Sequence, residues 1–535
     1  MKLVSVSEMK ETEAAANARG ISYEQMMQNA GIGLARYIIS NYGNERKAIT
    51  GLVGTGNNGG DTLVALAALA KSGWQARAYI VKSRPSGDPM MKWLQQVGGV
   101  IVEGGKDHDR KILSELLTDS SLILDGVLGT GIKLPLKPEL AEILGFVSKF
   151  SDLPDVIAVD CPSGVDCDSG AAATECIPAK VTVCMAAVKQ GLVRFPANNY
   201  VGKIEVIDIG INEMKTQGKK SRYVVNAEMV RNVLPARPKD AHKGIFGTIL
   251  IVAGSVNYVG AAFLAGNGAY RVGSGLVRLG VIQPLQLALA GHMPESVWMI
   301  LPSEGGVISA DAAEVVLDNL DHVDAILIGP GLGTEETTQK FFEKLLIGSK
   351  SGKKAKGIGF VADDSGSEKT VDHSLPPMVI DADGLRMLAK IQDWQKKIPS
   401  RSILTPHPGE MAAMTGLKVE EIQVNRETVA SKYSTQWGHI VVLKGALTVI
   451  ADPDGRTAII PVATSALAKA GTGDILAGMI CGLRGQGMDA FIASYTGAWL
   501  HAQAGLITAD KFGSEMTIKA KDILNSIPDA IKSLR

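Results

Sequence analysis

The residues with the most chemistry in their order are Lys469-Ala470-Gly471-Thr472-Gly473-Asp474, which run directly into the apolar stretch Ile475–Leu483. Gly-Thr-Gly makes a bend whose backbone amides point into one crevice, and the helix that follows adds the partial positive charge of its N-terminus. Together they form an anion hole for a phosphoryl group in transfer, and Asp474 stands where it can take a proton from an attacking hydroxyl. A helix start with an acidic first turn would need the same residues for structure alone. That reading leaves the other motifs of this half without a purpose: His242-Lys243-Gly244 leading to Gly254-Ser255, then Gly329-Pro330-Gly331-Leu332-Gly333, Asp381-Ala382-Asp383-Gly384-Leu385, Thr405-Pro406-His407-Pro408-Gly409-Glu410 and Leu443-Lys444-Gly445.

The first half carries a second constellation. Gly54-Thr55-Gly56-Asn57-Asn58-Gly59-Gly60-Asp61 follows a strand and opens a helix, but it is not the G-x-G-x-x-G dinucleotide fingerprint. Its paired asparagines and Asp61 supply oxygens, which suit a monovalent cation or ribose hydroxyls. Leu124-Asp125-Gly126-Val127-Leu128-Gly129-Thr130-Gly131 and Val159-Asp160-Cys161-Pro162-Ser163-Gly164-Val165-Asp166 each place an Asp where a strand ends. One such Asp is commonly a helix cap. Three of these loops at the carboxyl ends of parallel strands converge on one crevice and make a site.

Those loops need a sheet to hold them. Ser22-Tyr23-Glu24-Gln25 reads as a capping box opening a helix through Tyr37, and Thr62–Lys71 as another helix. Ala48–Val53, Ala76–Val81, Leu122–Leu124, Val156–Val159, Val181–Met185 and Ile204–Ile209 have the length and apolarity of buried strands. The alternation predicts a mostly parallel sheet with helices on both faces. The polar run Glu213–Arg222 fits a linker, after which Thr248–Val252, Leu276–Val281, Ala325–Ile328, Met378–Ile380 and Ile440–Leu443 resume the pattern. Two α/β domains are therefore expected, 1–220 and 221–535, with 353–377 a polar surface insertion in the second.

Composition narrows the class. Lys plus Arg and Asp plus Glu balance at 55 each, which disfavours general nucleic-acid or anionic-membrane binding. No apolar run reaches 18 residues and the N-terminus has no apolar signal core, so a soluble, cytoplasmic protein is expected. Cys161, Cys167, Cys176 and Cys184 lie close together without a C-x-x-C pair or a nearby His, and read as buried free thiols rather than a zinc site.

With these motifs in view, the first half resembles the NAD(P)H-hydrate epimerase family over nearly all of residues 1–212, where Lys189-Gln190-Gly191-Leu192 and Gly202-Lys203-Ile204 are similar to its closing segment. The second half resembles the nucleotide-dependent NAD(P)H-hydrate dehydratase family of the ribokinase-like superfamily, across about 223–535. The resemblance implies an N-terminal Rossmann-like three-layer α/β/α domain, a C-terminal ribokinase-like α/β domain, and a bifunctional enzyme. One site would epimerise the R and S hydrates of NADH and NADPH. The other would dehydrate the S form at the expense of ADP (or ATP), giving NAD(P)H, phosphate and AMP (or ADP).

Carried over residue by residue, Asn57, Asn58, Gly59, Gly60, Asp61, Gly129, Thr130, Gly131, Ile132, Lys133, Leu134 and Pro135 would contact the hydrate in the epimerase site, with Asp160 at the reacting ring. Asn58, Asp125 and Ser163 would ligate potassium. In the dehydratase site, Ala261, Gly333, His407 and Asp474 would hold the hydrate. Lys444, Gly445, Ala446, Leu447, Thr448, Thr464, Ser465, Ala470, Gly471, Thr472 and Gly473 would hold the nucleotide. Magnesium is expected with it, and a homo-oligomer without nucleic-acid or membrane partners. The family usually has Gly where this chain has Thr62; the substitution weakens binding if that Gly admits substrate, and is neutral if it only starts the helix. Two rivals stay open: a small-molecule kinase with the same GTGD chemistry and no elimination, and a first half that only binds a ligand or partner.

Overall fold

The computed structural model describes all residues except 44–46, 212–220, 349–352, 355–369 and 372–374. Most of the expected linker and most of the expected 353–377 insertion lie outside the described residues. The chain divides into two compact units, Met1–Val224 and Val225–Arg535.

In the first unit, seven strands pair in the order Val100–Glu103, Gln75–Ile80, Ala48–Val53, Leu122–Gly126, Asp155–Val159, Val181–Met185, Lys203–Ile207, every pair parallel. The central strands are buried on both faces, which is why they read as unbroken apolar runs. One face is covered by helices Val6–Ala18, Tyr23–Tyr42, Asn57–Lys71 and Pro89–Gln96, through residues such as Met9, Leu34, Leu63, Leu66 and Leu94. The other face packs on Lys111–Thr118 and Pro138–Ser148 through Leu113, Leu117, Ile143 and Val147. This is the three-layer arrangement. Chain order runs one way from Ala48–Val53 and the other way from Leu122–Gly126, so the sheet's switch point, where ligands bind in such folds, falls between those two strands.

Several boundaries differ from the sequence reading, each for a local reason. Ser22 does cap the second helix, accepting from the Gln25 N–H, but Gln25 turns away to donate to Asn29, and the helix runs on to Tyr42. The third helix starts at Asn57, five positions before Thr62, so the NNGGD run is its first turn. Asp125 lies inside its strand, one residue before the end.

The second unit repeats the logic. Its strands pair in the order Thr457–Ile459, Val449–Ala451, Ile440–Leu443, Ile403–Leu404, Met378–Ile380, Ala325–Ile328, Thr248–Val252, Leu276–Ile282, Val297–Leu301. The first two are antiparallel additions and the rest are parallel. The switch point falls between Thr248–Val252 and Ala325–Ile328. Helix Thr472–Gly485 lies close against Val259–Arg271: a Cβ on Gly478 would come within 2.0 Å of the Ala265 carbonyl, and one on Gly268 within 2.6 Å of the Ile475 carbonyl. Two glycines thus fix where the GTGD turn sits.

Candidate active sites

In the first unit, helix Asn57–Lys71 begins without a side-chain cap, so its leading N–H groups are left for a ligand. Asn58 donates through Nδ2 to the Val159 carbonyl at 2.6 Å and the Leu128 carbonyl at 3.2 Å, tying together the ends of three strands. Asp125 is fully buried and accepts from the Ser163 hydroxyl at 2.5 Å and the Ser163 N–H at 2.8 Å; the Leu128 N–H in turn donates to Ser163 Oγ at 2.9 Å. Burial pushes the Asp125 carboxyl up despite those donors. The three expected potassium ligands therefore meet around Leu128, and Asn58 Oδ1 lies 2.6 Å from where a Cβ on Gly129 would be. The loop 129–135 continues from there, half-buried to exposed.

Asp160 sits at the end of the neighbouring strand in the left-handed region, φ 64°. Its carboxylate accepts from the Met185 N–H at 2.9 Å and from the ammonium of Lys189, a side chain 1% exposed that also donates to the Met185 carbonyl at 3.1 Å. Burial opposes the Lys189 charge most strongly, but the charge and hydrogen bond of Asp160, with smaller help from Cys184 and Cys167, together hold the ammonium above its ordinary range. Two further carboxyls feel this pair. Burial pushes Asp61 well up, with Asp160 adding to it, and burial pushes Glu13 up, with Lys189 opposing. The Lys189–Asp160 pair thus acts electrostatically on both Asp61 and Glu13. Asp61 is in the expected set; Lys189 and Glu13 are not.

Thr62 resolves against the sheet, not the crevice. It is fully buried, its hydroxyl donates to the Asn58 carbonyl at 2.7 Å, and a Cβ on Gly126 would come within 1.8 Å of the Thr62 hydroxyl oxygen.

In the second unit, Gly471 opens helix Thr472–Gly485 with φ 90° and no side-chain cap, while the Thr472 hydroxyl ties the turn back to the Leu467 and Lys469 carbonyls, both at 2.9 Å. Asp474 is in the first helical turn. Burial, reinforced by Asp381 and opposed by Lys444, pushes its carboxyl up to about 7. Lys444, expected among the nucleotide contacts, reaches beneath this turn: its ammonium lies 2.6 Å from Asp381 and 3.7 Å from Glu410, and 3.6 Å from where a Cβ on Gly473 would be. Burial works against that charge, and Asp381 and Glu410 hold it above its ordinary range. Thr405 donates to the same Asp381 oxygen at 2.7 Å.

His407 caps helix Pro408–Thr415, accepting through Nδ1 from the Gly409 and Glu410 N–H groups, while Glu410 accepts from the His407 N–H at 2.8 Å. Its ring remains half exposed, with Nε2 3.2 Å from Glu410. The Gly333 N–H donates to Asp383 at 3.0 Å, and Ala261 is buried in the first turn of its helix against Gly331. Residues 444–448 form the hairpin between Ile440–Leu443 and Val449–Ala451, braced from behind by Arg426, which donates to the Leu443 and Lys444 carbonyls. Thr464 and Ser465 are both bonded to Glu515. Ala470 is exposed at the lip of the turn.

Comparison with known proteins decides the family. Residues 249–529 match the family model described as NAD(P)H-hydrate dehydratase, and 23–191 the model described as YjeF-related protein N-terminus. The bifunctional NAD(P)H-hydrate repair enzyme of Moorella thermoacetica is 34% identical, an alignment covering 100% of this chain and 97% of that one. The chain belongs to the bifunctional NAD(P)H-hydrate repair enzymes. The member from Thermofilum pendens is 31% identical over 100% of this chain and 97% of its own. Among solved structures, the ADP/ATP-dependent NAD(P)H-hydrate dehydratase of Bacillus subtilis, co-crystallised with ATP and magnesium, is 33% identical over 58% of this chain and 99% of its own, with a TM-score of 0.47.

Against this family background, the unexpected site residues fall into two groups. Lys189, Asp383 and Glu410 stand inside motifs quoted from the sequence but gain a role only through their partners, whereas Glu13, Arg426 and Glu515 stand outside every motif and become visible only when distant segments meet. Among the described residues, no helix is long and apolar enough to cross a membrane.

Proposed function

We propose that the chain repairs hydrated NADH and NADPH in two steps, epimerising the R and S hydrates in the first unit and dehydrating the S form in the second with ADP (or ATP). Asp474 carries the reading: a carboxyl beside an uncapped helix start, pushed up to about 7. That is the range where a general base works at neutral pH.

The amides of Gly471, Thr472 and Gly473 take the charge of the terminal phosphoryl group. Asp474 removes the proton from the hydroxyl on C6 of the damaged ring, whose oxygen accepts the phosphoryl. The C6–O bond then breaks, phosphate leaves with the former hydroxyl oxygen, a proton leaves C5, and the ring double bond returns. The Lys444 ammonium, fixed by Asp381 and Glu410, places positive charge under the turn. Those carboxylates are engaged by Lys444, and among the described residues no group of three or more His, Cys, Asp or Glu is arranged to hold a metal. That fits magnesium entering on the nucleotide's own phosphates, where it would neutralise the transferred oxygens. Ala261, Gly333 and His407 would hold the hydrate, and 444–448, Thr464, Ser465 and Ala470 the nucleotide.

In the first unit, C6 bears both the hydroxyl and the ring nitrogen, so inversion requires one bond at C6 to break and re-form with protons delivered and removed. Asp160, held by Lys189, would carry that exchange. Asn58, Asp125 and Ser163 would hold potassium: the donors are all oxygen, and Asp125 is a buried carboxylate whose bonds come from neutral groups. The ion would offset that charge and keep the switch-point loops closed on Asn57–Asp61 and 129–135.

The test follows near-ultraviolet NADH absorbance when mixed hydrate epimers meet protein, magnesium and either nucleotide. Complete recovery of NADH is expected. A phosphorylated product without NADH would instead assign the small-molecule kinase reaction.

A further inference from the structure

The glycine-rich loop of the first unit is braced by a residue outside every motif. Strand Gln75–Ile80 pairs parallel to Ala48–Val53, with Ile80 opposite Val53, so the segment after it emerges beside that loop. There Arg84 donates through Nη1 to the Gly54 carbonyl at 2.6 Å and the Gly56 carbonyl at 3.3 Å, and through Nε to Asp88 at 2.7 Å. A Cβ on Gly59 would lie 2.9 Å from Nη1. The Arg84 side chain is 8% exposed, and Asp88 is itself fixed as the cap of helix Pro89–Gln96, accepting from the Met90 and Met91 N–H groups. The guanidinium is therefore a fork of fixed orientation, and Nη2 takes part in none of these bonds.

In a doubly wound dinucleotide site, the end of the second strand is where the adenosine ribose is read: an acidic residue there bonds a free 2′-hydroxyl, whereas an Arg accommodates a 2′-phosphate. Here Ala48–Val53 precedes the glycine-rich loop and Gln75–Ile80 is the second strand. It is followed by Val81, Lys82, Ser83 and Arg84, and the first acid after it, Asp88, is already bonded to Arg84. The geometry assigns Arg84 as the group that binds the 2′-phosphate of hydrated NADPH, with exposed Lys82 and Ser83 beside it. This rests on reading the crevice as a hydrated-dinucleotide site.

Arg84→Gln in the full chain keeps an N–H donor for the loop carbonyls and removes the charge and the fork. Epimerisation of hydrated NADPH should lose roughly tenfold or more in kcat/KM, through KM, the scale of one charge-assisted hydrogen bond. Hydrated NADH has no 2′-phosphate and should lose only what a weaker brace on the Gly54 and Gly56 carbonyls costs, several-fold less than hydrated NADPH loses. Inhibition by 2′-AMP should weaken in parallel, while inhibition by 5′-AMP stays. Retained epimerisation of hydrated NADH by the same variant reports an intact first unit. Equal losses for both hydrates, or none for either, would overturn the assignment. A wild-type chain that epimerised neither hydrate would instead overturn the site reading beneath it.

Discussion

Replacing Asp474 by Asn removes the proposed base while keeping its size and most of its hydrogen bonding. Two magnitudes follow from its environment. The carboxyl is raised from the ordinary 3.8 to about 7, so the free enzyme's dehydration kcat/KM should rise about tenfold per pH unit below 7 and level off above it. In the Asn variant the reaction should fall by roughly 10²–10⁴-fold, the range for a lost general base, and the limb near pH 7 should vanish. Stability moves the other way. Because the folded pKa lies above the unfolded one, the native state binds more protons between pH 3.8 and 7, and stability declines as pH rises through that window. The shift corresponds to at most roughly 4 kcal/mol, and solvent at this half-buried site reduces it. The Asn variant lacks that decline, so its Tm should match wild type near pH 4 and exceed it at pH 8. Initial rates of NADH recovery from pure S hydrate across pH 5–9 and paired thermal melts measure both. Near wild-type repair by the variant would show that the GTGD turn is only a helix start, and the mechanism would fall.

Asp125→Ala should lower epimerisation and its potassium dependence, leaving dehydration of S hydrate intact; equal loss of both activities would refute the cation site. Lys189→Met leaves Asp160 buried without its cation, so epimerisation should collapse and urea unfolding should register about 3–5 kcal/mol, the usual result of removing one partner from a buried pair. Gly126→Ala drives a methyl into the Thr62 hydroxyl and should cost about 1–3 kcal/mol by overpacking. Adding Thr62→Gly should recover most of that loss without changing the KM for hydrate; a changed KM would put Thr62 in the crevice after all.

Legibility followed burial. Ala48–Val53, Val181–Met185, Thr248–Val252, Ala325–Ile328 and Ile440–Leu443 are buried on both faces and were bounded correctly from apolar runs alone. The start of helix Asn57–Lys71 was not, because Asn and Gly have weak helix propensity and the helix begins there through tertiary bonds such as Asn58 to Leu128 and Val159. Strands Val449–Ala451 and Thr457–Ile459 are three residues each, too short for a periodicity to register. In the sites, loop glycines and their acids are local and were readable. Lys189 under Asp160, Arg84 against Gly54 and Arg426 behind Lys444 depend on partners brought together by sheet order, which no local window contains.

All five cysteines are buried free thiols, with Cys161, Cys167, Cys176 and Cys184 in the first unit and Cys481 in the helix behind the GTGD turn. Burial pushes Cys184 and Cys481 up and holds Cys176 near 12, leaving almost no thiolate at neutral pH. At Cys176, Cys184 and Cys481 the native chain is thus shielded from alkylating agents and peroxide by thiolate scarcity as well as by access. Each unit carries its own silent chemical clock: a thiol reagent scores the opening of the first at four positions and of the second at one, so mass spectrometry of the labelled peptides can time the two separately in a single intact polypeptide.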